Sequence, residues 1–215
     1  MERIPRLMPG KYFHIYNRGH NSGEIFIEEE NYRHFLRLYA KYIVPVADTF
    51  AYCLMRNHFH LLVRIKDLDG HLGIMRAPRA TGDHQGLGQR NPTQAFSNLF
   101  NAYAKALNKR YRRTGEVFEK RFHRIEVISD EYFGRLLFYI HFNPQKHKVV
   151  PDYRMYQYSS YNALAGNSRT NLARSEVLQW FGSRNEFISF HSTMVSEKQM
   201  PQIDRTEDQQ SQDVS

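Results

Sequence analysis

The chain has 215 residues, with 30 lysines and arginines against 22 acidic residues and a formal charge of +8. Such a surplus of cations is typical of proteins that bind polyanions, although many basic proteins bind none. The single cysteine, Cys53, excludes an internal disulfide framework and a thiolate zinc cluster. The N-terminus lacks the apolar core of a signal peptide, and no apolar run is long enough to span a bilayer. We therefore expect a cytoplasmic protein with no membrane partner.

The first half of the chain predicts a strand, a helix and two further strands. The segment KYFHIYN, residues 11–17, is aromatic and β-branched, which is typical of a strand, and turn-forming residues follow it. Helical spacing begins near Glu28 and ends before Pro45. TFAYCLMR and HFHLLVRIK then predict two strands joined at Asn57, or one long strand bent there. Residues 66–92 are rich in Gly, Pro, Arg and His without an apolar period, which predicts a mobile basic loop.

The second half predicts two more amphipathic helices and one more strand. Asn91 followed by Pro92 favours a helix start, and apolar residues at helical spacing continue to Leu107. EVFEKRFHRIEVIS, residues 116–129, has the composition of a strand. Ser129 favours the start of a helix that Pro144 should stop. NLARSEVLQWFG, residues 171–182, predicts one further helix that carries the only tryptophan, Trp180.

The order β, α, β, β, α, β, α predicts an α+β fold of the ferredoxin-like type, an antiparallel sheet with helices on one face. We also expect a helical and aromatic extension at the C-terminal end of this fold. We expect a domain over residues 1–166, the extension over residues 167–196, and a disordered polar tail over residues 197–215.

Two histidines lie one residue apart in the strand HFHLLVRIK. Side chains alternate along a strand, so His58 and His60 should share one face while Phe59 points to the core. They would then be about 7 Å apart along the strand, close enough to bind one ion. We expect this face to be the one that the helices do not fully cover. The pair alone leaves open that these are ordinary half-buried strand histidines.

The last long helix offers partners for the two histidines. At about 100° per residue, Tyr139 and Asn143 lie on one flank of the predicted buried stripe, one turn apart, and His141 lies on the opposite flank. The stripe consists of Phe133, Leu136, Leu137 and Ile140. Alternatively, Tyr139 is a packed aromatic and Asn143 ends the helix before Pro144.

Several motifs together resemble a known family. The motif HFH, and FYIHFNP after YRRTGEVFEKRF, resemble the HUH single-tyrosine transposases. The likeness is greatest to the tyrosine transposases associated with repetitive extragenic palindromic (REP) DNA. YFHIYNRGHNSGEIFIEEENYRHFL and YSSYNALAG are similar to the same group, so the resemblance covers residues 11–166. The segment QKHKVV after the proline and the long basic loop depart from the pattern, which leaves the choice of DNA target open.

The resemblance implies an enzyme that cleaves and rejoins single-stranded DNA at hairpin-forming palindromic sequences through a 5′-phosphotyrosine intermediate. It implies that Tyr139 is the nucleophile and that the metal ligands are His58, His60 and Asn143. Nitrogen and oxygen donors without a thiolate favour Mg²⁺ or Mn²⁺. The expected partner is single-stranded or hairpin DNA, bound by a nucleoid-associated monomer or homodimer.

Two other functions are compatible with parts of this sequence. Zinc hydrolases of barrel type also carry an H-x-H pair, but the chain lacks repeated βα units and an all-β double sheet. A non-catalytic, domesticated nucleic-acid-binding protein of the same fold remains the alternative.

The basic run NKRYRRTG predicts contacts to the DNA backbone and stacking on an unpaired base. A solvated helix end, favoured by the helix dipole, is an equally good interpretation of this run. The predicted DNA-binding residues are Lys109, Arg110, Tyr111, Arg112, Arg113, Arg121 and Arg124, extended by Arg76 and Arg79.

Overall fold

The computed structural model describes residues 5–67 and 91–196, and its centre is a four-stranded antiparallel sheet in the order β2-β3-β1-β4. The strands are β1 (Tyr12–Arg18), β2 (Ala47–Leu54), β3 (His58–Ile65) and β4 (His123–Val127). β2 and β3 form a hairpin, while each of the two crossovers connects strands that are not neighbours, as in the split βαβ plan. The predicted α+β class and antiparallel sheet are confirmed. β4 is shorter than predicted, because residues 116–122 lie outside the strand.

Two crossover helices, α1 (Glu29–Tyr42) and α2 (Pro92–Arg110), cover one face of the sheet. Glu28 forms a capping box with Asn31 at the start of α1, and the side chain of Asn91 accepts two backbone hydrogen bonds at the start of α2. The residues of β1 and β3 in this core are Phe13, Ile15, Phe59, Leu61, Val63 and Ile65. Phe59 therefore points to the core, as predicted.

The opposite face is covered by α3 (Asp130–Lys146), so the expectation of helices on one face holds only for the two crossover helices. The apolar stripe of α3 needs a surface to pack on, and Leu62, Cys53 and Phe50 provide it on this face. The start of α3 is as predicted, since the hydroxyl of Ser129 accepts from the backbone of Tyr132 at 3.2 Å.

The prediction that Pro144 stops α3 is wrong. Pro144 lies inside the helix, which continues to Lys146. The proline removes one backbone donor, but the turn is closed by the backbone of His147, which donates to the carbonyl of Asn143 at 3.0 Å. α3 therefore presents one more turn of side chains than the sequence suggested.

Residues 153–196, which include the predicted extension over residues 167–196 and are here called the C-terminal extension, pack against α3 and against the free edge of β2. The extension contains α4 (Tyr161–Ala165), α5 (Arg174–Phe181) and α6 (Arg184–Ser196), of which only a helix close to α5 was predicted individually. Backbone hydrogen bonds from Leu54 to Tyr158 (3.0 Å) and from Ala173 to Thr49 (2.9 Å) join it to β2. These bonds cover part of a strand edge that would otherwise expose unpaired backbone groups.

No helix in the described part of the chain is long and apolar enough to cross a membrane. Most of the predicted basic loop, including Arg76 and Arg79, and the tail 197–215 lie outside the described residues.

Candidate active site

His58 and His60 lie side by side on β3, with ring centroids 5.2 Å apart. His58 is half-buried, but His60 is only 1% exposed. The expectation that this face is left largely open is therefore wrong for His60, because α3 packs over it. The two imidazoles do share one face, as the alternation of the strand predicted.

α3 brings the other two predicted residues to the histidines. The side-chain oxygen of Asn143 is 2.9 Å from Nε2 of His58, and the ring of Tyr139 meets the ring of His60 edge-on at 5.4 Å between centroids. Asn143 and Tyr139 are both buried. All the residues predicted as nucleophile and metal ligands thus meet at one place between β3 and α3.

The contacts of His58 are compatible with a cation bound between this imidazole and Asn143. Its Nδ1 lies 2.8 Å from the side-chain oxygen of Asn57, while its Nε2 lies 2.9 Å from that of Asn143. A neutral imidazole has one N–H, so it cannot donate to both oxygens. If Nδ1–H donates to Asn57, Nε2 and the Asn143 oxygen both present lone pairs; a cation between them removes the conflict, as does rotation of the Asn143 amide so that its Nδ2 donates to Nε2.

The distances also fit the metal class that the donors suggest. The 2.9 Å between Nε2 of His58 and the Asn143 oxygen would let both atoms bind one small divalent ion, and it is also the length of an ordinary hydrogen bond. Within residues 5–67 and 91–196, no group of three or more His, Cys, Asp or Glu side chains is placed to hold a metal. A site here therefore needs the amide oxygen of Asn143 as its third donor.

Burial keeps both histidines neutral. It lowers the pKa of His58 to about 4, against the opposing effect of the Asn143 hydrogen bond, and nearby His147, Arg18 and Lys146 lower it further. Burial also lowers the pKa of His60 well below its ordinary value, with smaller contributions from the neighbouring imidazoles and Lys146. Neutral imidazole is the form that binds a metal ion, so protonation would not prevent either side chain from acting as a ligand at neutral pH.

Comparisons with known proteins agree on one group. No family model matches the chain. A curated protein of Haemophilus influenzae, named as a candidate REP-associated tyrosine transposase, is 26% identical over 118 residues, which are 54% of this chain and 59% of that protein. A solved structure of a REP-associated tyrosine transposase bound to a REP hairpin has 12% identity and a TM-score of 0.55, over 76% of this chain and 84% of that chain. This chain has the fold of a REP-associated tyrosine transposase. The resemblance predicted from the motifs is confirmed.

Within this transposase fold, two cations and a third imidazole beside the histidines were not predicted. The ring of His147 is 5.2 Å from that of His58, and Nζ of Lys146 is 5.2 Å from the ring centre of Tyr139. Arg18 is paired with His58 across the β1–β3 ladder. Lys146 and His147 follow Tyr139 at helical spacing, so the signal was present, but it was hidden by the assumption that the helix ends at Pro144.

The predicted DNA-binding residues do not form one patch. Lys109 and Arg110 end α2, and Arg112 and Arg113 are exposed in the turn after it. Arg124 lies near the start of α2, where its guanidinium donates to Thr93 at 3.0 Å. At about 1.5 Å per residue, the two ends of this helix are about 27 Å apart. Arg121 is exposed just before β4.

Two members of the basic run have structural partners. Nε of Arg110 is 2.5 Å from a carboxylate oxygen of Glu28, and the hydroxyl of Tyr111 donates to the same oxygen at 2.7 Å. These bonds join the end of α2 to the cap of α1. The guanidinium lowers the pKa of the Glu28 carboxyl, and the tyrosine hydroxyl adds to the effect.

Proposed function

We propose that this chain is a DNA-cleaving and strand-transferring transposase that depends on Mg²⁺ or Mn²⁺ and acts on single-stranded or hairpin DNA through a 5′-phosphotyrosine intermediate. The observation that carries the proposal is the position of Asn143, whose side-chain oxygen lies 2.9 Å from Nε2 of His58 while Tyr139 packs against His60. The relatives support it: one is named for this activity, and the other was solved with a REP hairpin. The alignment spans 59% of the curated relative.

The residues have separate roles in the proposed reaction. His58, His60 and Asn143 would hold the divalent ion, which when bound polarises the scissile phosphate as a Lewis acid. The hydroxyl oxygen of Tyr139 attacks phosphorus and forms a new ester, the bond from phosphorus to the 3′-oxygen breaks, and that oxygen leaves as a 3′-hydroxyl after taking up a proton. Phenols are protonated at neutral pH, so the tyrosine proton must pass to a base or to water as the new bond forms.

Rejoining reverses these steps with a different strand. The 3′-hydroxyl of another DNA end attacks the phosphotyrosine, a phosphodiester forms, and Tyr139 recovers its proton. One phosphate ester replaces another in each step, so strand transfer needs no ATP.

The charge around the site suits a DNA backbone. Arg18 and Lys146 lie close enough to His58 to lower its pKa, and cations at such positions bind phosphates in a salt-dependent manner. We propose that the protein acts on DNA at the nucleoid, as a monomer or a homodimer.

One observation favours the second candidate, a non-catalytic nucleic-acid-binding protein of the same fold. The side chain of Tyr139 is only 1% exposed, and a nucleophile must reach the phosphate that it attacks. In the proposed enzyme, the Tyr139 side chain therefore has to move towards the bound DNA. In a binding protein it would stay packed against His60.

A covalent-adduct assay separates these candidates. The full chain is incubated with Mn²⁺ and a single-stranded oligonucleotide that folds into a palindromic hairpin, and the products are run on a denaturing gel. We expect an adduct with the wild-type protein, none with Tyr139→Phe, and an unchanged amount with Tyr161→Phe, which removes a hydroxyl from a buried tyrosine of α4. An adduct with Tyr139→Phe would refute the assignment. Hairpin binding by the wild-type protein without any adduct, across a panel of hairpins, would support the second candidate.

A further inference from the structure

His14, on β1, contacts the proposed metal ligand His60 directly. Its Nε2 is 3.0 Å from Nδ1 of His60, and the two rings are stacked with centroids 5.2 Å apart. Both imidazoles are fully buried, so His14 has no direct access to DNA or to solvent. Its contact to the site runs through His60.

The hydrogen bond between the two rings determines which nitrogen of His60 is available. At 3.0 Å, one proton lies between Nδ1 of His60 and Nε2 of His14. If the proton belongs to His60, its Nε2 carries a lone pair, and His14 must then carry its own proton on Nδ1. If the proton belongs to His14, neutral His60 is protonated on Nε2 and cannot bind a cation there.

We propose that His14 is a positioning residue that accepts the Nδ1 proton of His60 and so presents Nε2 of His60 to the divalent ion. This inference rests on the proposed metal site. Metal-binding histidines usually donate their second N–H to a neighbouring acceptor, which fixes both tautomer and ring orientation. Asn57 occupies the corresponding position at His58, with its side-chain oxygen 2.8 Å from Nδ1.

The packing around His14 explains how one orientation is kept. The ring of Tyr16 lies 4.8 Å from that of His14 and 5.9 Å from that of His60, so it restricts the rotation of both imidazoles. On its other side Tyr16 stacks on His123 of β4 at 4.8 Å and an interplanar angle of 12°. The stacked rings thus extend across three neighbouring strands and hold the acceptor nitrogen of His14 towards His60.

Mn²⁺ binding to the full chain tests the proposal without any measurement of activity. The affinity is determined by titration calorimetry and by the electron paramagnetic resonance signal of free Mn²⁺. We expect His14→Leu, which removes the acceptor at similar volume, to weaken binding about 10- to 100-fold, the usual effect of losing such a partner. His14→Gln should retain most of the affinity, because its amide oxygen can accept the Nδ1 proton. His34→Leu, the same change at a half-buried histidine of α1 on the other face of the sheet, should leave the affinity unchanged.

A second measurement does not depend on how well the variants fold. ¹⁵N chemical shifts and long-range couplings of the wild-type protein without metal report which nitrogen of His60 is protonated, and we expect Nδ1. Protonation at Nε2, or wild-type Mn²⁺ affinity in His14→Leu while His60→Ala abolishes binding, would overturn the role of His14 and leave the metal site in place. Failure of the wild-type protein to bind Mn²⁺ would overturn the metal site itself, and this inference with it.

Discussion

Replacing His191 by glutamine should reduce the loss of stability at acidic pH. His191 belongs to a buried network that joins α3 to the C-terminal extension. Its Nε2 is 2.9 Å from Nδ1 of His141, and Nε2 of His141 is 2.8 Å from the hydroxyl of Ser160. Nδ1 of His191 donates to the carbonyl of Phe187 at 2.8 Å. Glutamine keeps a polar side chain of similar size but cannot take up a proton.

The magnitude follows from the pKa of His191. Burial lowers this pKa to about 4, despite the favourable backbone hydrogen bond to Phe187. The unfolded chain has the ordinary value near 6.5, so below that pH the unfolded state binds the proton first and folding loses free energy. The loss grows at about 1.4 kcal/mol per pH unit and ends near pH 4, where the folded state also becomes protonated. His191 should therefore cost about 2 kcal/mol between pH 6.5 and 4.5.

Urea unfolding, followed by circular dichroism at several pH values between 7.5 and 4.5, measures this difference. Buried imidazoles that do not contact His191, such as His14 and His58, titrate in both proteins and cancel. His141 contacts His191, and the charge of His191 lowers its pKa, so the comparison reports the effect of His191 together with its influence on His141. The free energy of unfolding of His191→Gln should fall by about 2 kcal/mol less than that of the wild-type protein over this range. Parallel pH profiles for the two proteins would show that His191 is not held neutral by burial, and would refute the reasoning.

Two further predictions concern DNA binding and the packing of the extension. If Arg113 contacts a phosphate, Arg113→Ala should reduce the salt dependence of hairpin binding by about one unit of slope. Equal salt slopes for the wild-type protein and Arg113→Ala would contradict the predicted contact. Arg110→Ala should chiefly lower the thermal unfolding midpoint, because it loses the bond to Glu28. Gly134→Ala should destabilise the fold, because the new methyl would lie 2.8 Å from a ring carbon of Trp180. In a Trp180→Ala background, Gly134→Ala should instead stabilise the fold by about 1 kcal/mol, because alanine has the higher helix propensity. Calorimetry that shows Gly134→Ala to be destabilising in both backgrounds, or stabilising in both, would rule out the clash.

Much of the fold could be predicted because its signals are local. The helical spacing of α1 and α2, the capping residues Glu28, Asn91 and Ser129, and the composition of β1 and β3 all act over a few residues. The order of strands and helices along the chain then permits only a few strand orders in the sheet. The shared face of His58 and His60, and the shared flank of Tyr139 and Asn143, follow from the same periodicities.

The remaining features depend on contacts between distant segments. His14 is one of several aromatic or imidazole residues in KYFHIYN, and only the register of β1 against β3 places it beside His60. Arg110 lies in a basic run typical of phosphate-binding segments, but its guanidinium donates to Glu28, which is 82 positions earlier in the chain. The prediction that α3 ends at Pro144 was wrong because the local preference against proline in a helix can be outweighed by packing, and Pro144 is buried.

The placement of α3 explains why the C-terminal extension matters for the site. Tyr139 and Asn143 lie about 40° apart around the helix axis, while His141 lies about 160° from Tyr139. The first two therefore face the sheet and its histidines, while His141 faces Ser160 and His191 of the extension. A shift of the helix that breaks the bonds of His141 also moves Asn143 relative to His58. The bonds of His141 to Ser160 and His191 thus help to hold α3 in the rotation that places Asn143 beside His58.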